Sequence, residues 1–139
     1  MMRPGKAYAV GAAEGEALVL AEPISFWGGV DAATGAIIDH SHPDLGKNVA
    51  GRVLVMAGGR GSSSSSSILA EAIRRGTAPA AILLAAPDPI LTVGAIVARS
   101  LYDLRCPIVV CAIDGIATGD HVRIDAPESR LAEIDVTRQ

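Results

Sequence analysis

The chain has 139 residues, half of them apolar, with 12 basic against 15 acidic side chains and a formal net charge of −3. That length suits one domain, residues 1–139, around one core; the apolar share excludes a disordered chain, and the balanced charge leaves no footprint for nucleic acid. Aromatic residues are only 3%, and a palette of Ala, Val, Ile and Leu fits parallel strands under closely packed helices better than an aromatic-rich sandwich.

The opening MMRPGKAYAVG lacks the apolar core and cleavage pattern of a signal peptide. No later run approaches the roughly 20 apolar residues of a membrane span. A cytoplasmic protein is therefore expected. The first third is broken by glycine and polar turns, with short strands predicted at Ala17–Leu20 and Gly35–Ile38. The rhythm then changes. Val53–Ala57 reads as a buried strand, and Ser66–Arg75 as a helix with an Ile68, Leu69, Ala72, Ile73 stripe and Gly76 as its stop. Ala80–Ala85 is a second buried strand, Pro89–Tyr102 a second helix opening on proline, and Pro107–Ile113 a third strand. Strand, helix, strand, helix, strand with short connections implies right-handed parallel crossovers. Short strands return near His121–Ile124 and Leu131–Val136. The fold class is thus α/β, a parallel βαβαβ half packed with a short-strand β layer.

Between the first buried strand and its helix stands AGGRGSSSSSS, with six consecutive serines at Ser62–Ser67. A serine run is often a slack linker. Here it joins no two domains, and it occupies a crossover connection that normally spans about 2–6 residues. In a parallel sheet such a loop opens at the strands' carboxyl ends, where ligands bind. Gly58, Gly59 and Gly61 allow close approach of the backbone, Arg60 offers a forked cation, and the helix start offers free amides to an anion. The pattern is neither a P-loop, which needs a lysine, nor a nucleophile elbow, since G-x-S-x-G is absent. The residues alone point to an anion-binding loop and leave the reaction open. Ser66 and Ser67 fall inside the helix, beyond the loop.

Other chemistry-bearing residues read more plainly. Cys106 and Cys111 lie five positions apart, on opposite faces of a strand, and are expected to be buried and reduced. Asp39, His40, His42 and Asp44 in DHSHPD have metal-ligating side chains, but a solvated turn before proline is the stronger reading. Ser25–Gly29 holds the only Phe and the only Trp and reads as a core anchor and a turn. Asp88 reads as a helix cap rather than a catalytic acid.

The stretch GRVLVMAGGRGSSSSSSILAEAIRRGTAPAAILLAAPDPILTVGAIVA resembles the swivel domain, or small subunit, of aconitase X, and PISFWGGVDAATGAIIDHSHPDLGKNVAG is similar to the family's other signature segment. The resemblance implies a swivelling β/β/α domain and a dehydratase made of two pieces. In that scheme the large subunit carries an iron or iron–sulfur centre, and this chain binds no cofactor or metal itself. Gly61, Ser62 and Ser63 match the loop that brings a serine base to a small hydroxy-acid substrate, so Ser62 inherits the base role. Arg60 and the amides around Gly61, Ser63 and Ser64 then stabilise its alkoxide and hold the substrate. Aconitases carry an arginine after the serine pair. Ser64 stands there instead, which argues against a tricarboxylate. The family implies two substrates, cis-3-hydroxy-L-proline or mevalonate 5-phosphate, and the segment looks more like the first type. A non-catalytic anion-binding swivel module is the alternative from another class.

Overall fold

The computed structural model describes all 139 residues. Seven strands close into one barrel: β1 (Met2–Ala9), β2 (Gly11–Val19), β3 (Val53–Met56), β4 (Ala81–Leu84), β5 (Ile108–Cys111), β6 (His121–Ala126) and β7 (Leu131–Thr137), in the spatial order β1-β5-β4-β3-β2-β6-β7. Three helical elements accompany them: a single turn α1 (Phe26–Gly29), α2 (Ser65–Arg75) and α3 (Pro89–Tyr102).

The parallel half is as the sequence predicts. β3, β4 and β5 run parallel, and β2 joins them on the β3 side. Their residues are buried on both faces, as strands between two apolar layers must be. Leu54, Met56, Ile82, Leu84 and Ile108 face α2 and α3, with Leu69, Ile73, Leu91 and Ala95 above them. Val53, Val55, Leu83 and Val109 point the other way, into the barrel, against Ile124 and Ile134. The short strands at either end of the chain complete the wall: β6 pairs antiparallel with β2 and β7, and β1 with β5 and β7. The β layer is therefore continuous with the parallel half. β6 shows strict alternation, buried Val122, Ile124 and Ala126 between exposed neighbours, because only its inner face is covered.

Two expectations change. Gly35–Ile38 is not a strand; it makes only the single bridges Val30 to Ile37 and Ala36 to Asn48, within a turn-rich excursion that packs Ile37 and Val49 over the helix-side core. β1, in contrast, lies where the sequence reading placed no strand. Gly5 makes it fit, since a Cβ there would lie 2.6 Å from Val109 Cγ1 and 2.8 Å from Ile134 Cδ1. β1 begins where β7 ends: Met2 is in register with Asp135, and the Met1 amine bonds the Val136 carbonyl at 2.7 Å.

The helix ends follow local chemistry. Gly76 caps α2 in the left-handed conformation (φ 78°). Asp88 caps α3, its carboxylate accepting from the amides of Ile90 at 2.9 Å and Leu91 at 3.0 Å. Cys106 and Cys111 are both buried and unpaired, one in each core.

Candidate functional site

β3 ends at Met56, and the loop Ala57–Ser64 carries the chain to α2 along the carboxyl edge of the parallel strands. The next crossover leaves the same edge, with the Ala85 amide bonding the Ala57 carbonyl at 3.1 Å. This brings Asp88 against the loop. A Cβ at Gly59 would collide with Asp88 Oδ2, so only glycine lets the loop lie on the α3 cap.

Ser62 is half-buried, and its Oγ accepts from the Ser64 amide at 3.3 Å. Its carbonyl accepts from the Ser65 amide at 2.9 Å, which starts the helical turn. The amides of Gly61, Ser62 and Ser63 have no acceptor within the chain, and Ser63 and Ser64 are exposed. Of the two amides expected to serve an oxyanion on Ser62, that of Ser64 already points at it and that of Ser63 is free. Both lie at the positive end of α2. Arg60 is exposed and has no carboxylate within 4.0 Å. Its charge nevertheless reaches Asp39, whose carboxyl is held below the ordinary value of 3.8 by the Ser41 hydroxyl and amide first and by Arg60 after them.

The rest of the serine run does something the sequence did not show. Ser65 is buried, its Oγ 3.2 Å from Ser25 Oγ and accepting from the Trp27 amide at 3.0 Å. Ser66 Oγ donates to the Ile90 carbonyl at 2.6 Å, fastening α2 to the first turn of α3. These hydroxyls fasten the start of α2 to the Ser25–Gly29 segment and to α3. A run of identical residues hides that division, because it follows from the 3.6-residue turn only once the neighbours are known. The Ser25–Gly29 segment also divides: Phe26 is fully buried, whereas Trp27 is 57% exposed beside the start of α2.

The DHSHPD turn is a structural clip. His42 is buried, with Nε2 donating to the Glu22 carbonyl at 2.9 Å and Nδ1 accepting from the Asp44 amide at 3.0 Å. Asp44 in turn accepts from the Ala21 amide at 3.2 Å and pairs with Lys47 at 2.8 Å. With both ring nitrogens engaged, His42 has no lone pair for a metal. No group of three or more His, Cys, Asp or Glu side chains in the chain is arranged to hold a metal ion.

The crevice between Gly59, Arg60, Ser65 and Asp88 offers only about 10 Å³, the room a single water needs. A larger hollow of about 570 Å³ lies along β2, β6 and β7, remote from the serines and lined by Glu14, Asp125, Glu133 and Asp135. The serine loop is an open ledge with aimed donors and no enclosing wall. A substrate there needs a second surface.

The sequence profile of the aconitase X swivel domain matches residues 3–133. The chain is 51% identical over 98 residues to cis-3-hydroxy-L-proline dehydratase of Pseudomonas aeruginosa, covering 70% of this chain but only 17% of that protein. It is 36% identical over 137 residues to the phosphomevalonate dehydratase small subunit of Pyrococcus abyssi, covering 98% of each chain. The crystal structure of Thermococcus kodakaraensis aconitase X superposes with a TM-score of 0.87 at 32% identity, over 99% of both chains. The chain belongs to the aconitase X swivel domain family.

Proposed function

We propose that this chain is the small subunit of an aconitase X-type dehydratase and that Ser62 is its proton-abstracting base. The observation that carries the reading is the Ser64 amide donating to Ser62 Oγ at 3.3 Å, beside the free Ser63 amide and the unpaired Arg60. A serine hydroxyl is a poor base until its alkoxide is stabilised by fixed donors in a site closed to water. The donors are here; the closure is not. A large subunit would supply the closure, and an iron or iron–sulfur centre held on it would supply Lewis-acid chemistry.

The favoured substrate is cis-3-hydroxy-L-proline, supported by the 51% identity to a dehydratase of that name. Ser62 takes the proton from the carbon bearing the carboxylate, the hydroxyl leaves the adjacent carbon, and the resulting enamine tautomerises to Δ1-pyrroline-2-carboxylate. Arg60 and the amides of Gly61, Ser63 and Ser64 hold the carboxylate and the forming oxyanion. Mevalonate 5-phosphate is the second reading, favoured by the end-to-end match to separate small subunits. Assembly with the aconitase X large subunit from the same source, followed by assay on both acids, tests the proposal. Turnover of the proline derivative by the pair and not by the isolated chain supplied with iron is expected. Turnover of neither acid, or activity of the isolated chain, overturns it.

A further inference from the structure

The two helices on the barrel present opposite chemistry outward. α2 shows a charged face, with Glu71 paired to Arg74 at 2.7 Å. α3 is apolar on both sides. Leu91, Gly94, Ala95 and Ala98 are buried against α2 and the sheet. Half a turn away Val93, Ile96, Val97 and Leu101 are exposed, Leu101 at 66% and Val93 at 51%. Spacings of three and four residues put these side chains on one stripe from Val93 to Leu101, a face that also carries the exposed Ser100. α3 also carries Thr92, Arg99 and Ser100, yet contiguous exposed apolar patches of this kind mark interaction sites.

The stripe has two informative ends. At its start, α3 is capped by Asp88, which touches Gly59 of the serine loop. Its far half borders a hollow of about 170 Å³ lined by Ile96, Tyr8, Arg99, Arg105 and Arg130. Arg99 is paired with Glu128 at 2.6 Å and Arg105 with Asp103 at 3.3 Å, whereas Arg130 has no carboxylate within 4.0 Å. A body covering this face therefore needs an apolar ridge with a carboxylate at the Arg130 end.

We propose that the outward face of α3 is the surface on which the large subunit docks, the Val93, Val97 and Leu101 stripe forming the centre of the contact. The inference rests on the two-subunit reading above. The relatives supply the occupant: the matched segment is 17% of a longer chain in one and a named small subunit in another, so this fold occurs with a body several times larger. A specific interface needs about 800 Å² on each side, so the stripe is the anchoring core of a wider contact.

The test uses the Val97→Asp, Leu101→Asp double variant, with Arg75→Ala on α2 as control. Both sites are exposed, so circular dichroism and the thermal midpoint of the free chain should stay near wild type. Affinity for the large subunit should fall about 30-fold or more in the double variant and stay unchanged in the control. Wild-type affinity in a folded double variant overturns the docking surface while leaving the two-subunit reading in place. If the wild-type chain itself forms no complex, both fall. A wild-type homodimer that the double variant dissolves, with large-subunit binding intact, assigns the face to a second copy and overturns the proposal.

Discussion

Ser62, Ser65 and Ser66 carry the same hydroxyl and are set to three different tasks by what faces them. Ser62 has a single long contact, from the Ser64 amide at 3.3 Å, and is only half-buried. Ser62→Ala is therefore expected to cost less than about 1 kcal/mol of stability while lowering kcat of the assembled enzyme by about 10²–10⁴-fold. Ser65→Ala reverses the balance. It removes the acceptor of the part-buried Trp27 amide, which donates to Ser65 Oγ at 3.0 Å, a loss of about 1 kcal/mol. Ser66→Ala should lose about 1 kcal/mol, because its 2.6 Å bond to the Ile90 carbonyl ties two helices. Urea midpoints of the free variants, beside kcat of the assembled ones, check this ordering. A Ser62 variant that unfolds early and turns over normally would show a cap and no base. The loop was legible from its place between a buried strand and its crossover helix, although of its glycines only Gly59 is required, where a Cβ would meet Asp88. The separate tasks of Ser65 and Ser66 were not, since their partners Trp27 and Ile90 lie 38 and 24 residues away.

The elements depend on close approaches that only small residues allow. Gly94 of α3 sits against α2, where a Cβ would lie 2.7 Å from the Ser66 carbonyl oxygen and 3.2 Å from its Cα. The obstacle is backbone, so Gly94→Ala must push the helices apart; a loss of about 1–3 kcal/mol is expected despite alanine's better helix propensity. Leu91→Ala, which shrinks the same interface instead of crowding it, should cost about 2–5 kcal/mol. Thermal unfolding of both variants separates overpacking from cavity formation. β3, β4, β5, α2 and α3 could be read from the sequence because each buries a continuous or helically spaced apolar face. β1 could not: MRPGKAYA buries only Ala7 and Ala9, and its Gly and Pro mimic a loop. Gly35–Ile38 misled in the other direction, as its one buried large side chain, Ile37, packs from a turn. Closure of the barrel was equally hidden, because pairing of the first strand with the last leaves no local pattern.

For the molecule as a whole, the buried thiols set an alkaline limit. Burial pushes Cys106 up to about 12, and burial also raises Cys111 against the opposing effect of Arg3. Above the ordinary value of 9.0 the unfolded chain releases these protons while the folded chain keeps them. The folded state then binds more protons, so stability falls as pH rises from 9 towards 12, at up to about 1.4 kcal/mol per pH unit for Cys106. Below 9 the thiol contributes no slope. Urea unfolding between pH 8 and 10.5 should show this decline, and Cys106→Ala should be less stable at pH 8 with a shallower decline. At the acid end, burial raises the Asp44 carboxyl, but Lys47 and the Ala21 amide outweigh it and hold the group below 3.8; that contribution is lost as pH falls through this range. The two ends of the chain stand side by side, Met1 on Val136 and Met2 on Asp135. A permuted chain joined there by a short glycine–serine link and opened at Ser129, in the exposed turn between β6 and β7, should therefore fold with a single unfolding transition, which calorimetry would show. A body whose chain enters and leaves through one doorway can be carried as cargo. Splicing it into a longer polypeptide or cutting it free changes one short tether and rethreads nothing, and the same architecture can travel as a passenger in one genome and as an independent vehicle in another.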